Sequence, residues 1–345
     1  MIDIVLDEFG IKEDTLTIAP IYQGLINNTW KVGANGHAYI VQKVNVNIFK
    51  KPEDIAYNID VIGEYLHQNF PDYLFTSPFK TLKGKAIIKL DAHNYFRVFP
   101  FIKDSHSIDI VSCAAEAYEA ARQFARFTAK LSGFNAQQLK ITIPSFHNLS
   151  LRYQQFEESI KNGNAARISE AVVIIKQLRQ FSNIVDDYEK IKYNTEFKIR
   201  VTHHDTKISN VLFDNNGQGL CVIDLDTVMP GYFISDFGDM MRTYLSPVSE
   251  EEKDVSKIEI RKNIYEAIVS GYLSEMGDEL TQTEKEYFPY AGKFMIYMQA
   301  LRIITDYLNN DSYYGSAYPG HKFIRGKNQL TLLQRLCEFE NAYAL

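Results

Sequence analysis

The 345-residue sequence predicts an α+β fold of two lobes, a small strand-rich one followed by a large helical one. Short β-type runs with turn residues between them crowd the first hundred positions. Long patterns with helical spacing fill most of the rest. The texture changes once, around Phe99 to Ser105, with no low-complexity linker. Residues 1–102 are the expected N-terminal lobe and 103–345 the C-terminal one.

The stretch "LTIAPIYQG" reads as a first strand, and "TWKVGANGHAYIVQKVN" as a hairpin. Asn35 and Gly36 supply the residues that tolerate positive φ at its tight connection. A helix follows, with Pro52 near its first position, acidic residues in its first turn, and Ile55, Ile59, Ile62 and Leu66 on one face. "KAIIKL" and "YFRVFPFI" complete a lobe of strands with one helix among them. Beyond Asp104, "DIVSCAAEAYEAARQFARFTAKLSG" predicts a long helix ending at Gly133, and "AARISEAVVIIKQLRQFSNIVDDYEKI" another. Strands return briefly in "KIRVTH", "NVLFD" and "LCVIDL", with a turn at Asn215 to Gly217; the remainder is helical.

Composition narrows the function classes. With 46% apolar and 23% charged residues and a net charge of −6, the chain suits an ordinary soluble protein with a small-molecule ligand, as a monomer or small homo-oligomer. It has no basic footprint for nucleic acid. The opening Met1 to Gly10 carries acidic residues and no basic n-region, so neither a signal peptide nor a membrane anchor is expected. Cys113, Cys221 and Cys337 lie far apart and suit buried thiols in a reducing cytoplasm.

The chemistry concentrates in "THHDTKISNVLFD", which follows a predicted strand and contains H-x-D-x-x-x-x-N as His203, Asp205 and Asn210. Phosphoryl transfer needs a carboxylate against the attacking hydroxyl and an oxygen ligand for magnesium a few residues away, both on one rigid loop. A further carboxylate must bridge metal and phosphates. "VIDLD" offers Asp224 for this at the end of the next hydrophobic strand, where the intervening hairpin can return it beside Asn210.

Loop and strand together resemble the catalytic core shared by eukaryotic-like kinases and the aminoglycoside phosphotransferase family, which implies a protein-kinase-like fold. The resemblance makes Asp205 the group that orients the substrate and accepts its proton, and Asn210 and Asp224 the metal ligands. It allows Lys207 to reach the γ-phosphate; otherwise this is a solvated surface charge. Asp226 is an auxiliary metal or substrate ligand, or an anchor for its own turn. The letters of "SDFGD" are a chance echo of the kinase metal loop: Asp236 reads as a helix N-cap that supports the catalytic loop, and His203 as a brace for it. His204 has no assigned role.

Upstream, "YQGLINNTWKV" sits where a phosphate-covering loop belongs. Gly24 permits close backbone approach, and Asn27, Asn28 and Thr29 carry donors for phosphate oxygens. Only one glycine of the usual glycine-rich pattern is present. Lys43 shares a face with Val41 by alternation, matching an apolar residue over adenine and a phosphate-binding lysine, with Glu53, Asp60 or Glu64 as its acidic partner. Pro100, Phe101 and Ile102 would offer hinge backbone to adenine.

Three segments, "RVTHHDTKISNVLFD", "CVIDLDTVMPGYFISDFGDMMRT" and "ALRIITDYLNNDSYYG" with the following "HKFIRGKNQLTLLQRL", resemble bacterial N-acetylhexosamine 1-kinases. That family implies ATP- and Mg²⁺-dependent phosphorylation of the anomeric hydroxyl of a sugar substrate. Arg302, Asp306, Tyr307, Tyr313 and Tyr314 bring together the polar and aromatic groups that sugar recognition uses; the same residues suit a buried ion pair with a tyrosine rim. The other expectations left open are a kinase for an aminoglycoside, choline or homoserine-like alcohol, and a nucleotide-binding pseudokinase.

Overall fold

The computed structural model describes residues 1–12, 16–21, 26–34, 36–313 and 315–343. Two compact units emerge. The first is Met1–His106 with Lys130–Pro144 and Leu212–Pro230, and the second is Ser107–Ala129, Ser145–Val211 and Gly231–Leu345.

In the first unit, helix α1 (Ile2–Glu8) precedes strands β1 (Thr17–Ile21), β2 (Asn28–Ala34) and β3 (His37–Val44). Helix α2 (Pro52–Asn69) leads on to β4 (Ile88–Asp91) and β5 (Asn94–Pro100). The strands form one sheet in the order β1-β2-β3-β5-β4, antiparallel at every pairing. Ala34 pairs with His37, so the β2–β3 connection is the expected two-residue turn; Gly36 takes φ +74°, while Asn35 lies outside the described residues. Alternation sorts the sheet into two faces. One carries Val32, Val41, Phe96 and Val98 beneath Val5, Leu6 and Phe9 of the first ten residues. The other carries Thr29, Gln42 and Arg97, which lie in register across three strands. Helix α1 departs from the expectation of a single helix among the strands. Its seven residues are too short to show a helical period, and it is held by burial of Val5 and Leu6 rather than by propensity.

Helix α2 begins at Pro52 and buries Ile55, Ile59, Ile62 and Leu66, as predicted. A smaller sheet joins β6 (Ser105–His106), β7 (Val211–Asp214) and β8 (Gly219–Val222), with Gly217 at φ +77° in the turn between the last two.

The second unit is helical: α3 (Ala114–Lys130), α4 (Leu149–Asn162), α5 (Ala165–Glu170), α6 (Val172–Gln180), α7 (Asn183–Tyr193), α8 (Phe233–Tyr244), α9 (Lys262–Met276), α10 (Gln282–Glu286), α11 (Phe288–Leu308) and α12 (His321–Tyr343). The single helix expected across residues 165–191 is three. Ala171 and Phe181 fall near φ −90° and ψ 0°, breaking the ladder while leaving the apolar period intact. Helix α11 is the core, packed against α4, α8 and α12. Its approach to α8 is close because Gly238 has no side chain; a Cβ there would lie 2.3 Å from the Ala291 carbonyl oxygen. Of the cysteines, Cys221 is buried as expected, Cys337 is half-buried and Cys113 is exposed; none is in a disulfide. Among the described residues no helix is long and apolar enough to cross a membrane.

Candidate active site

The short strand Arg200–Thr202 delivers the chain into a loop that α8 grips residue by residue. His203 is buried, with its ring edge-on to Phe124 at 5.0 Å and to Phe127 at 6.3 Å. Its Nδ1 accepts from the Asp205 amide at 3.3 Å. The Asp236 carboxylate accepts from the amides of His203 and His204 at 2.9 and 2.7 Å. Asp239, one helical turn on, accepts from the Thr206 amide at 2.9 Å, and the Tyr244 hydroxyl donates to the Thr206 carbonyl at 2.6 Å.

Asp236 is not the N-cap expected from sequence. Tyr232 occupies that position, and Asp236 projects from the first turn of α8, where its carboxylate meets the loop backbone instead of the helix's own amides. Burial pushes its pKa up to about 7; the two loop amides oppose this, while Asp239 and Asp205 add to it. Burial also raises Asp239, against the pull of Arg242, whose Nε donates to it at 2.9 Å.

This grip leaves Asp205 at the loop's partly exposed apex. Asn210 closes the loop by donating its amide nitrogen to the Asp205 carbonyl at 2.8 Å and to the carboxylate at 3.0 Å. Lys207 Nζ lies 3.2 Å from the same carboxylate. Asp205, Lys207 and Asn210 are thus brought together.

Within the first unit, the chain leaving β8 turns sharply. Asp224 is exposed and adopts left-handed backbone at φ +60°, ψ +58°, a conformation that aspartate tolerates better than most residues. Asp226, two residues on, is buried. It pairs with Arg97 at 2.5 Å, with both side chains 3% exposed or less, and accepts from Asn27 at 2.7 Å. Arg97 Nε also donates to Gln42 at 3.1 Å, and Gln42 donates to Thr29 at 3.2 Å. Asp226 therefore anchors its own turn to the sheet, which was one of its two sequence readings.

The hairpin side chains have partners of their own. Asn27 spends its amide between Asp226 and the Asn45 amide. Asn28 points to the α1 side, and Gly24 lies outside the described residues. Lys43 shares a face with Val41 as expected, but that face is the one α1 covers. Its side chain lines a cavity of about 530 Å³ with Asp3, Ile18, Asn28, Trp30 and Phe96. Among the described residues none of its three candidate carboxylates pairs with it, and Asp60 is held by Lys80 at 2.5 Å. The cation that meets the "IDLD" turn is Arg97, on the opposite face. At the end of β5, the Phe101 amide donates to Ala38, the Ile102 carbonyl accepts from the Ser105 hydroxyl, and Pro100 pairs with Tyr39.

On α11, the Arg302 guanidinium sits 5.4 Å from the Phe146 ring centroid and donates to Gln299 at 3.3 Å. Asp306 is buried and accepts from the Tyr313 amide at 2.8 Å. The Tyr307 hydroxyl donates to Glu170, and Arg167 stacks over its ring. Tyr313 is exposed, and Tyr314 is outside the described residues.

A family model described as the phosphotransferase enzyme family, named for the aminoglycoside phosphotransferases, matches residues 17–256. The chain belongs to this phosphotransferase family. Its fold is that of spectinomycin phosphotransferase, solved with ADP and spectinomycin (15% identity, TM-score 0.63, covering 98% of this chain and 97% of that one). It is also that of a microcompartment-associated aminopropanol kinase (14%, 0.65, 99% and 97%) and of a choline kinase from Streptococcus pneumoniae (13%, 0.56, 96% and 98%). The protein is a small-molecule phosphotransferase with the bilobal, kinase-like α+β fold.

Such phosphotransferases imply a divalent cation, and the donors present suit a hard one. Because the Asn210 amide nitrogen faces Asp205, the oxygen of the same amide faces away from it; Asp224 offers a carboxylate on an exposed turn. Sequence reasoning missed Arg97, Asp239 and His147 in this phosphotransferase. Asp239 was within reach, since residues three apart on a helix share a face with Asp236. The partnership of Arg97 with Asp226 carries no local signal.

Proposed function

We propose that this phosphotransferase uses ATP and Mg²⁺ to phosphorylate the anomeric hydroxyl of N-acetylhexosamines, N-acetylglucosamine or N-acetylgalactosamine, giving the sugar 1-phosphate. The observation that carries the choice of acceptor is the charge in the second unit near the catalytic loop. Arg302 rests on Phe146. Arg242, bound to Asp239, also donates to Glu250, which Arg325 shares. Lys322 is buried, and burial followed by Arg325 lowers its pKa. Arg242 and Arg325 are matched by Asp239, Glu250 and Glu251, so the contrast rests on the Arg302 guanidinium donors, which an ammonium acceptor such as choline or an aminoglycoside would meet unfavourably. Neutral hydroxyl and acetamide oxygens accept hydrogen bonds from them.

In this reading residues 1–102 supply nucleotide contacts, with hinge backbone from Pro100 to Ile102 at the adenine, and Gly24 and Thr29 near the phosphates. Residues 103–345 supply the catalytic loop and the acceptor site. Asp205 orients the sugar hydroxyl and takes its proton as the new O–P bond forms and ADP departs, and Lys207 draws the γ-phosphoryl oxygens. Magnesium, when held by Asn210 and Asp224, neutralises phosphate charge. Asn27 and Arg97 secure Asp226 and so the turn carrying Asp224. Arg302 is the proposed acceptor contact, with Asp306, Tyr307 and Tyr313 shaping its surroundings. The setting is cytoplasmic, where ATP and free sugars meet.

The test is incubation with ATP, Mg²⁺ and a panel of N-acetylhexosamines, hexoses, choline, ethanolamine and spectinomycin. ADP release and loss of the sugar's reducing end are followed together. Consumption of an amino alcohol or spectinomycin with no sugar turnover overturns the sugar assignment. Failure of every acceptor to stimulate ADP release favours a nucleotide-binding module.

A further inference from the structure

The residue before the base is a second imidazole that the chemistry above leaves unused. His204 is buried and holds left-handed backbone at φ +66°, a pose disfavoured for a residue with a Cβ. Its backbone amide is taken by Asp236 at 2.7 Å. Its ring packs against Phe146, edge-to-face at 6.3 Å, and against Gly231 and His147. The ring passes where Gly231 has no side chain: a Cβ there would lie 2.5 Å from His204 Cε1. On its Nδ1 side, the Nδ1 of His147 stands 3.2 Å away, with the rings edge-to-face at 5.0 Å.

His147 is itself braced, stacked on Phe146 at 4.3 Å and 18°, with Arg302 over Phe146. Two ring nitrogens at this distance bond only when one carries a proton and the other does not. Burial holds the His147 pKa well below the ordinary histidine value. His204 adds to this, as do the guanidinium groups of Arg302 on α11, Arg242 on α8 and Arg152 on α4. The ring therefore stays neutral and able to complete such a bond.

We propose that His147 is a positioning residue for phosphoryl transfer. Through Nδ1 it binds the His204 imidazole, keeps residue 204 left-handed, and so aims the Asp205 carboxylate at the acceptor hydroxyl. A 204 backbone released to the right-handed or extended region would rotate the peptide that joins it to Asp205, whose amide now donates to His203 Nδ1. The proposal rests on Asp205 as the proton acceptor but not on which alcohol is phosphorylated.

Four variants of the full chain separate ring, nitrogen and backbone. His147→Phe keeps a stackable ring without nitrogen. His147→Asn places an amide atom near the Nδ1 position. His204→Gly keeps left-handed freedom without a ring. His204→Asn keeps both the tolerance for positive φ and a polar atom. For correctly folded protein, checked by thermal midpoint, His147→Phe and His204→Gly are expected to lower kcat by about ten- to a hundredfold with KM for ATP within about twofold. The two asparagine variants should recover to within about threefold of the parent. His147→Phe with unchanged kcat, or asparagine variants as impaired as the phenylalanine and glycine ones, overturns the proposal.

A readout free of any acceptor is ¹⁵N NMR of histidine-labelled protein. One ring of the pair should carry its proton on Nδ1 and the other should show a bare, hydrogen-bonded Nδ1. Two rings both protonated at Nε2 alone would overturn the proposal whatever the sugar panel shows. If no panel sugar is consumed, turnover is read as Mg-ATP hydrolysis, so failure of the sugar assignment and failure of the positioning role stay distinguishable.

Discussion

Arg97 and Asp226 give the sharpest energetic test of the first unit. Both side chains are nearly inaccessible, their charged atoms are 2.5 Å apart, and their other bonds run to Gln42 and Asn27. Such a pair adds little net stability relative to a well-packed apolar pair, because desolvation offsets most of the attraction. Removing one member is different, since it strands a buried charge. Arg97→Met leaves the Asp226 charge uncompensated, with the neutral Asn27 amide still donating to it, and Asp226→Leu leaves a buried guanidinium. Each should cost about 3–5 kcal/mol, a fall in thermal midpoint of about 4–7 °C for a chain of 345 residues. The double variant Arg97→Met/Asp226→Leu should lose far less than the sum, giving a coupling energy of at least about 2 kcal/mol. Urea titrations followed by far-UV circular dichroism, with all four proteins at one pH and salt concentration, measure this directly. Because the pair anchors the turn bearing Asp224, the single variants should also raise KM for ATP. Single variants that each lose under about 1 kcal/mol, or a double variant that loses the full sum, would refute the claim that this is a desolvated, mutually dependent pair.

Four further outcomes are expected. Asp205→Asn should reduce kcat by about 10²–10⁴-fold while ATP affinity, measured by calorimetry, stays within about twofold; near-full turnover would remove Asp205 as the base. Lys43→Met should leave KM for ATP within about twofold, because its side chain lines the α1 cavity; a tenfold rise would return it to the phosphates. Gly231→Ala should cost about 1–3 kcal/mol in urea denaturation, because the new methyl overlaps the His204 ring. Asp236 sets a pH dependence. Its folded pKa of about 7 lies above the ordinary carboxyl value of 3.8, so its contribution to stability is full below about pH 4 and is lost as pH rises through 7. The urea-midpoint difference between parent and Asp236→Asn should therefore change across that window, and a flat difference would show an unperturbed carboxyl.

The strands, the helix beginning at Pro52 and the catalytic loop were legible because each announces itself within a dozen residues, through alternation, a helix-start proline or a fixed spacing. What stayed hidden was decided by packing between distant segments. Alternation placed Lys43 with Val41 correctly, yet it cannot say which sheet face receives a ligand; α1, some forty residues upstream, covers that face. Likewise nothing near Arg97 marks it as the partner of Asp226. The reading of Asp236 located its target, the loop backbone, but chose the wrong geometry. A helix-start aspartate usually turns back on its own amides, and here Tyr232 takes the capping position while Asp236 reaches outward.

Backbone strain adds a separate line of argument. Among the described residues, the non-glycine positions with positive φ are Asp104, Ser145, His204, Asp224, Asn310 and Asp311. Aspartate and asparagine accept this region at modest cost through local side-chain bonding, so four of the six need no special support. Histidine too is enriched in this region, which leaves Ser145 as the unusual residue type; Ser145 lies two residues before His147, and His204 is the ring partner of His147. Each is held from outside. Arg152 donates to the Ser145 carbonyl at 2.9 Å and to the Phe146 carbonyl at 3.3 Å, while Asp236 and the open space over Gly231 hold His204. Positive φ that recurs at both ends of one imidazole pair, with dedicated bonds to maintain it, is hard to attribute to loop accident. It is what a loop requires if the carboxylate that follows must point one way before any acceptor arrives.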